Sequence, residues 1–299
     1  MKFFLLNRRF RDKSHFIWMT ISIILVILLP IFLATGLIIK SQPILSTNEF
    51  SSLLFSSEWK PLSGKFGLLT FIVSSLWVTF LSILIAAPIC LLTAIYLTQY
   101  ARRYLLRAMH PVIDILAGIP SVIYGVWGIL VIVPFISNYL GPALGKETSG
   151  YTVLAGALVL AVMIIPFILN IMIEVLKTIP DALKEAALSL GATQWQTVKR
   201  VILKKAFPGL LSAVSLGISR AFGETIAVLM VVGNVTRIPS GVFEPGYPLP
   251  ALIANNYGEM LSIPMYDSAL MLSALVLFAV VLLFNLASRM AIARYEKLQ

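Results

Sequence analysis

Arg220 and Glu224 are the only charged side chains in the apolar run 207–232. An ionisable group in the middle of a membrane helix costs about 2.5–3.5 kcal/mol on insertion scales, so such groups face protein or a watery path. At i, i+4 spacing on one helix the two share a face and can pair, although Arg before Glu is the weaker order against the helix dipole. Two readings stay open. One is a structural ion pair inside a helix interface. The other sets Arg220 along a path for an anion, where a permanent charge and five donors suit an oxyanion. Glu224 would then hold Arg220 and temper its affinity so that the ion leaves. Gly209, Ala213, Gly217 and Ala221 recur every four residues in the same run, a small-residue stripe that lets another helix approach closely.

The second constellation lies upstream. Leu183, Ala186, Ala187 and Leu190 fall at i, i+3, i+4 and i+7 and line one helical face. Gly191 is placed to end that helix in a left-handed conformation. Thr193 stands three residues before Gln196, a capping-box pattern that starts a second helix, and Trp195, Val198 and Ile202 continue its apolar face. Each helix has about ten residues or fewer, too short to persist alone in water. A membrane surface or a groove on another protein must cover this hairpin.

Residues for covalent or metal chemistry are sparse. Cys90 is the single cysteine and lies in an apolar run, and His15 and His110 are isolated in sequence. No catalytic triad or metal spacing is apparent, so neither enzymatic activity nor a cofactor is expected. Gly64-Lys65 and Gly145-Lys146 lack the neighbours of a phosphate-binding loop; if ATP drives a process here, another chain binds it. Asp114 is expected to snorkel or to pair with Arg107, and Glu174 to be interfacial.

The elements that must position these residues are membrane spans. The chain has 299 residues, 59% hydrophobic and 12% charged, about half the charged share of a soluble domain. Six long apolar runs occur, at 16–39, 68–100, 111–136, 151–173, 207–232 and 268–287. A span needs roughly 20 such residues, and in lipid the backbone must satisfy itself, so the runs are helices. The first is too long for a signal core and is read as retained. Basic residues gather before the first run, between the second and third, between the fourth and fifth, and at the C-terminal end. The positive-inside rule therefore predicts cytoplasmic termini, and the net charge of +10 reflects topology and anionic lipid. Nucleic-acid binding is excluded because no clustered basic face remains. Outside loops run over 40–66 and 234–266, the latter with a short helix expected over 251–261. No internal repeat supports an inverted-repeat transporter. A lipid-acting membrane enzyme would need clustered interfacial catalytic residues, and an ATP-independent channel is the remaining alternative.

Glu185-Ala186-Ala187, Gly191 and Val201-Ile202-Leu203 resemble the coupling motif of ABC importer permeases, with Lys204 where that family often has Pro. The resemblance implies that the hairpin, over about 178–204, sits in a cleft of a cytoplasmic ATPase and transmits its closure to the membrane helices. Ile119-Pro120-Ser121-Val122-Ile123-Tyr124-Gly125 and Arg220-Ala221-Phe222-Gly223-Glu224-Thr225-Ile226-Ala227-Val228 are similar to segments of phosphate importer permeases of the PstC type. The PstA type usually continues Ala-Pro after Glu-Thr, which is absent here. This resemblance implies an all-α, type I ABC importer permease fold with six transmembrane helices. It divides the chain into an N-terminal arm, first helix and periplasmic loop (1–67) and an importer transmembrane domain with a five-helix core (68–299). It implies a permease subunit in the bacterial inner membrane that forms half of a pathway for phosphate, with another oxyanion such as molybdate or sulfate as the alternative. Arg220, Glu224 and Thr225 would line the pathway, and Glu185, Ala186, Ala187 and Gly191 would couple it to the ATPase. The implied partners are a PstA-type permease, a PstB-type ATPase dimer, a PstS-type periplasmic phosphate-binding protein and membrane lipid.

Overall fold

A computed structural model describes residues 2–259 and 263–296. Among them six helical stretches are long and apolar enough to cross a membrane: 12–47, 69–100, 121–143, 153–177, 194–223 and 266–294. The chain runs α1 (Lys2–Thr47), α2 (Phe50–Phe55), a two-residue antiparallel hairpin β1 (Trp59–Lys60) and β2 (Lys65–Phe66), then α3 (Leu69–Ile95), which closes in a π turn at Tyr96–Tyr100. Next come α4 (Arg103–Gly118) and a third span built from α5 (Ser121–Trp127), α6 (Val133–Phe135) and α7 (Gly141–Ala143), joined by π turns. The fourth span is α8 (Val153–Lys177). After α9 (Asp181–Ser189), α10 (Gln194–Thr197) continues through a π turn into α11 (Leu203–Gly223), and α12 (Ile226–Leu229), α13 (Leu249–Asn256) and α14 (Tyr266–Glu296) complete the chain.

Two of the expected spans are corrected. The third does not begin at Pro111: α4 ends at Gly118, Ile119 is extended at φ −66°, ψ 128°, and the span restarts at Ser121. A residue before proline is pushed out of the helical region, and Pro120 has no N–H to continue the ladder. The fifth does not reach Val232. It ends at Gly223, with Glu224 extended at φ −72°, ψ 125°. Its N-terminal end also differs, because the hairpin's second helix is no separate short element but the start of this span. Lys204 and Pro208 both lie inside the continuous helix. In the outer loop the short helix covers Leu249–Asn256, with Pro250 in its first turn; Leu261 lies outside the described residues.

α8 is the most buried of the six and packs against α3, α4 and α11. The small-residue stripe meets it: a Cβ at Gly209 would collide with Val175, and one at Gly217 with Ile168. The close-approaching helix is therefore α8 of the same chain. A second core lies under the outer loops. Trp59 sits edge-on to Phe66, Phe71 and Tyr266 at 5.6, 5.1 and 5.9 Å, and Phe71 meets Tyr247 at 5.2 Å. Ile44, Leu249 and Leu270 are buried among them, and the Ile44 N–H donates to Ser268 Oγ at 3.2 Å.

Because Ile168 blocks the Cβ position, Gly217→Ala should destabilise the chain by about 1–3 kcal/mol. A lowered thermal midpoint in detergent checks this, with Gly223→Ala, which meets no neighbour within 4 Å, as the matched control.

Candidate functional site

The hairpin forms as the local sequence dictates. α9 ends with Leu190 as its cap and Gly191 at φ +81°. The Gly191 N–H donates to Leu188 O at 2.9 Å and the Ala192 N–H to Ala187 O at 3.2 Å, the paired bonds of a Schellman motif. Two residues on, the Gln196 N–H donates to Thr193 Oγ1 at 3.2 Å while the Thr193 N–H donates to Gln196 Oε1 at 2.9 Å. The capping box is closed in both directions. Val198 and Ile202 are buried against the spans, whereas Leu183, Ala186, Leu190 and Trp195 are exposed, Leu190 at 89%. Trp195 thus parts from Val198 and Ile202. Glu185, Ala186 and Gly191 are exposed and Ala187 half-buried, so the motif residues form one knob, anchored by Gln194 Nε2 donating to Gln99 O at 2.8 Å.

The second group lies where the fifth span stops. Glu224 leaves the helix, so Arg220 and Glu224 are not on one helical face. Ion pairs join Lys65 to Glu58 and Lys177 to Glu174; of the two readings left open for Arg220 and Glu224, the pair between them is not formed. Instead Glu224 Oε1 accepts from the Ala227 N–H at 3.2 Å, and Thr225 Oγ1 donates to Gly223 O at 3.3 Å. These side chains supply the partners that the broken ladder lacks. Glu224 also borders a cavity of about 10 Å³ with Ser75, Thr79, Pro248 and Pro250, which holds no more than a water. Arg220, in the last turn of α11, is exposed, with its guanidinium carbon 4.8 Å from the centre of the Phe167 ring. A cation at a helix C-terminus is favoured by the dipole, and a ring face adds to this.

The third span supports the break from one side. Gly125 faces Ala227 and Met230, and Gly128 faces Val159 and Val231. Tyr124 donates its hydroxyl to Leu116 O at 2.8 Å, bridging the interruption at 118–120. In the loop between α12 and α13, the Ser240 N–H donates to Glu244 Oε2 at 2.9 Å and holds that carboxyl below the usual carboxylate range.

Asp114 is expected from the sequence to snorkel or to pair with Arg107; in the structure its Oδ1 accepts from Asn170 Nδ2 at 3.0 Å. Sequence reasoning also missed Phe167 beneath Arg220, and Lys177 Nζ lying 2.7 Å from His110 Nε2 and 2.9 Å from Glu174 Oε1. Phe167 and His110 lie on other helices than the groups they meet, so no local pattern signals those contacts, whereas Lys177 and Glu174 are an i, i+3 pair within α8.

Against known proteins, residues 89–296 match the family model described as "Binding-protein-dependent transport system inner membrane component". The chain is 37% identical over 260 residues to the phosphate transport system permease protein PstC of Xylella fastidiosa (strain 9a5c), covering 82% of this chain and 80% of that one. It is 37% identical over 286 residues to the protein of the same name from Mesorhizobium japonicum, covering 91% and 85%. To the probable ABC transporter permease protein YqgH of Bacillus subtilis it is 40% identical over 238 residues, covering 79% and 75%. In structure it resembles a chain of the inward-facing MetNI methionine ABC transporter, with a TM-score of 0.58 and 24% identity over 76% of this chain and 95% of that one. That likeness establishes the fold.

Gly191→Ala should weaken the hairpin turn by about 1–2 kcal/mol, since only glycine takes its left-handed backbone freely. Faster amide exchange at 191–197 is the check, with Gly191→Asn intermediate.

Proposed function

The chain belongs to the binding-protein-dependent transport system inner membrane component family, and on that premise we propose that it is the permease subunit forming half of the membrane pathway for inorganic phosphate. The observation that carries the pathway is the broken fifth span. Irregular backbone at membrane depth is stable only where protein buries it or where it lines a water-filled cavity. Arg220, Gly223 and Ile226 leave one face of the break exposed, and a guanidinium there needs water, an anion or a partner subunit. A second permease of the PstA type covers this face, and phosphate passes between the two halves.

In this reading Arg220 attracts the ion by charge and by its planar donors. Phe167 holds the guanidinium by its ring face, which leaves the donors free to turn toward the ion. Glu224 keeps the break in shape through Ala227, which defines where Thr225 and Arg220 meet the path. No bond of phosphate is made or broken. The chain-wide boundary near residue 67 separates a peripheral first helix from the five-helix pathway core. Both termini lie in the cytoplasm, where the Glu185–Gly191 knob enters a cleft of a PstB-type ATPase dimer. The exposed Leu183, Leu190 and Trp195 are the apolar surface that this cleft covers. A PstS-type binding protein delivers phosphate from the opposite side.

Arg220→Gln should lower phosphate uptake by at least about tenfold, the factor carried by one charge-assisted contact, with Arg220→Lys between it and the unsubstituted protein. The check is uptake in cells with equal amounts of assembled complex. Undiminished uptake in Arg220→Gln ends the pathway role, and uptake suppressed by excess sulfate or molybdate reassigns the substrate.

A further inference from the structure

We infer that His110 and Lys177 form a proton-sensitive latch that makes α4 follow the root of the hairpin, so that both are positioning residues for transport; the inference rests on the permease reading above. Lys177 is the last residue of α8, and only three residues separate it from the start of α9. The hairpin's first helix therefore hangs directly from Lys177. An ammonium group only donates hydrogen bonds. At 2.7 Å from Lys177 Nζ, His110 Nε2 is thus the acceptor, and the proton of the neutral ring sits on Nδ1.

The contact has a companion. Asn170, two turns back along α8, donates to Asp114, one turn along α4 from His110. Ile113 lies buried between the two ties. Two polar links and one apolar contact stop α4 from sliding or rolling on α8. At the other end of α4 the helical ladder is interrupted, with Ile119 and Pro120 extended and open space beside Gly118, where a side chain would meet no neighbour within 4 Å. The Tyr124 hydroxyl on Leu116 O is the tether across that break. A displacement of the hairpin root therefore enters α4 through His110 and pivots it about 118–120. It then reaches α5, whose Gly125 rests on Ala227 and Met230 beside Thr225.

Protonation opens the latch. An imidazolium has no lone pair to offer, and beside the Lys177 ammonium it makes a like-charge contact. The other charged or titratable groups around this place are Arg107 and Asp114 on α4 and Glu174 on α8. The π turn contributes Tyr96 and Tyr100, and the hairpin root contributes Asp181 and Lys184. Histidine is the side-chain type among these whose charge ordinarily changes between about pH 5 and 8.

The test uses the complete importer complex in proteoliposomes, with phosphate transported per ATP hydrolysed measured while the ATPase-side buffer is varied from about pH 5.5 to 8. In the unsubstituted complex the ratio should fall on acidification. His110→Gln keeps an acceptor for Lys177, so it should hold the ratio and lose the pH dependence. His110→Leu and Lys177→Met should lower the ratio about threefold or more throughout, a typical size for a coupling effect. An unchanged ratio in His110→Leu, or an acid decline retained in His110→Gln, overturns the latch. If the unsubstituted complex hydrolyses ATP but moves no phosphate, the permease reading fails instead. The latch is then judged on amide exchange in α4 of the purified chain. Protection, taken relative to the intrinsic exchange rate at each pH, should be lower in His110→Leu, and should fall on acidification in the unsubstituted chain but not in His110→Gln; equal acid response in those two overturns it.

Discussion

In hydrocarbon no water is available to bond a peptide group that leaves its helix, and each one left bare costs several kcal/mol. This constraint governs both interruptions in the chain. At 118–120 Pro120 makes the break, and the Tyr124 hydroxyl satisfies the Leu116 carbonyl that it leaves bare. At 223–225 the Glu224 and Thr225 side chains do the same for the Ala227 N–H and the Gly223 carbonyl. The two breaks then meet, because Gly125 and Gly128 let the third span lie directly on α12 and Val231.

The other long-range organiser is the fit of small residues against α8. Gly209 and Gly217 bring α11 onto Val175 and Ile168, and α3 and α4 complete the surround. In lipid, helices gain little from hiding apolar surface, so close backbone approach and polar ties supply the specificity. The Asn170–Asp114 and Lys177–His110 contacts are such ties. They sit toward the C-terminal end of α8, where the hairpin leaves it.

Much of this was legible in the sequence because it is local or periodic. Six apolar runs announced six spans, and Gly191, Thr193 and Gln196 announced a turn whose geometry depends on those residues alone. Arg220 and Glu224 were recognisable as costly and therefore purposeful, but their relation was not. Hydropathy counts carbon surface and is blind to a break at Gly223. A continuous helix with both side chains on one face followed from it, and the ion pair stayed open as one of two readings. The same blindness merged α4 with the third span, although Ile119-Pro120 carried the necessary signal. Phe167 under Arg220, and contacts spanning 56 and 67 residues, depend on how helices assemble. No spacing rule encodes that.

The outer aromatic core has a consequence for biogenesis. Its members come from the end of α1, from α2 and the β1–β2 hairpin, from α3, from α13 and the residue Tyr247 before it, and from the beginning of α14. It thus joins segments made near the start of synthesis to segments made near its end. Such non-local contacts form late, after the entropy of closing the intervening loop has been met. Trp59, Phe66 and Ile44 must therefore stay uncovered on the outer side until Tyr266 and Leu270 have been inserted. During that interval the half-built chain presents an apolar surface that invites wrong contacts. The ring cluster then acts as a fastening, closed only when the last span is in place.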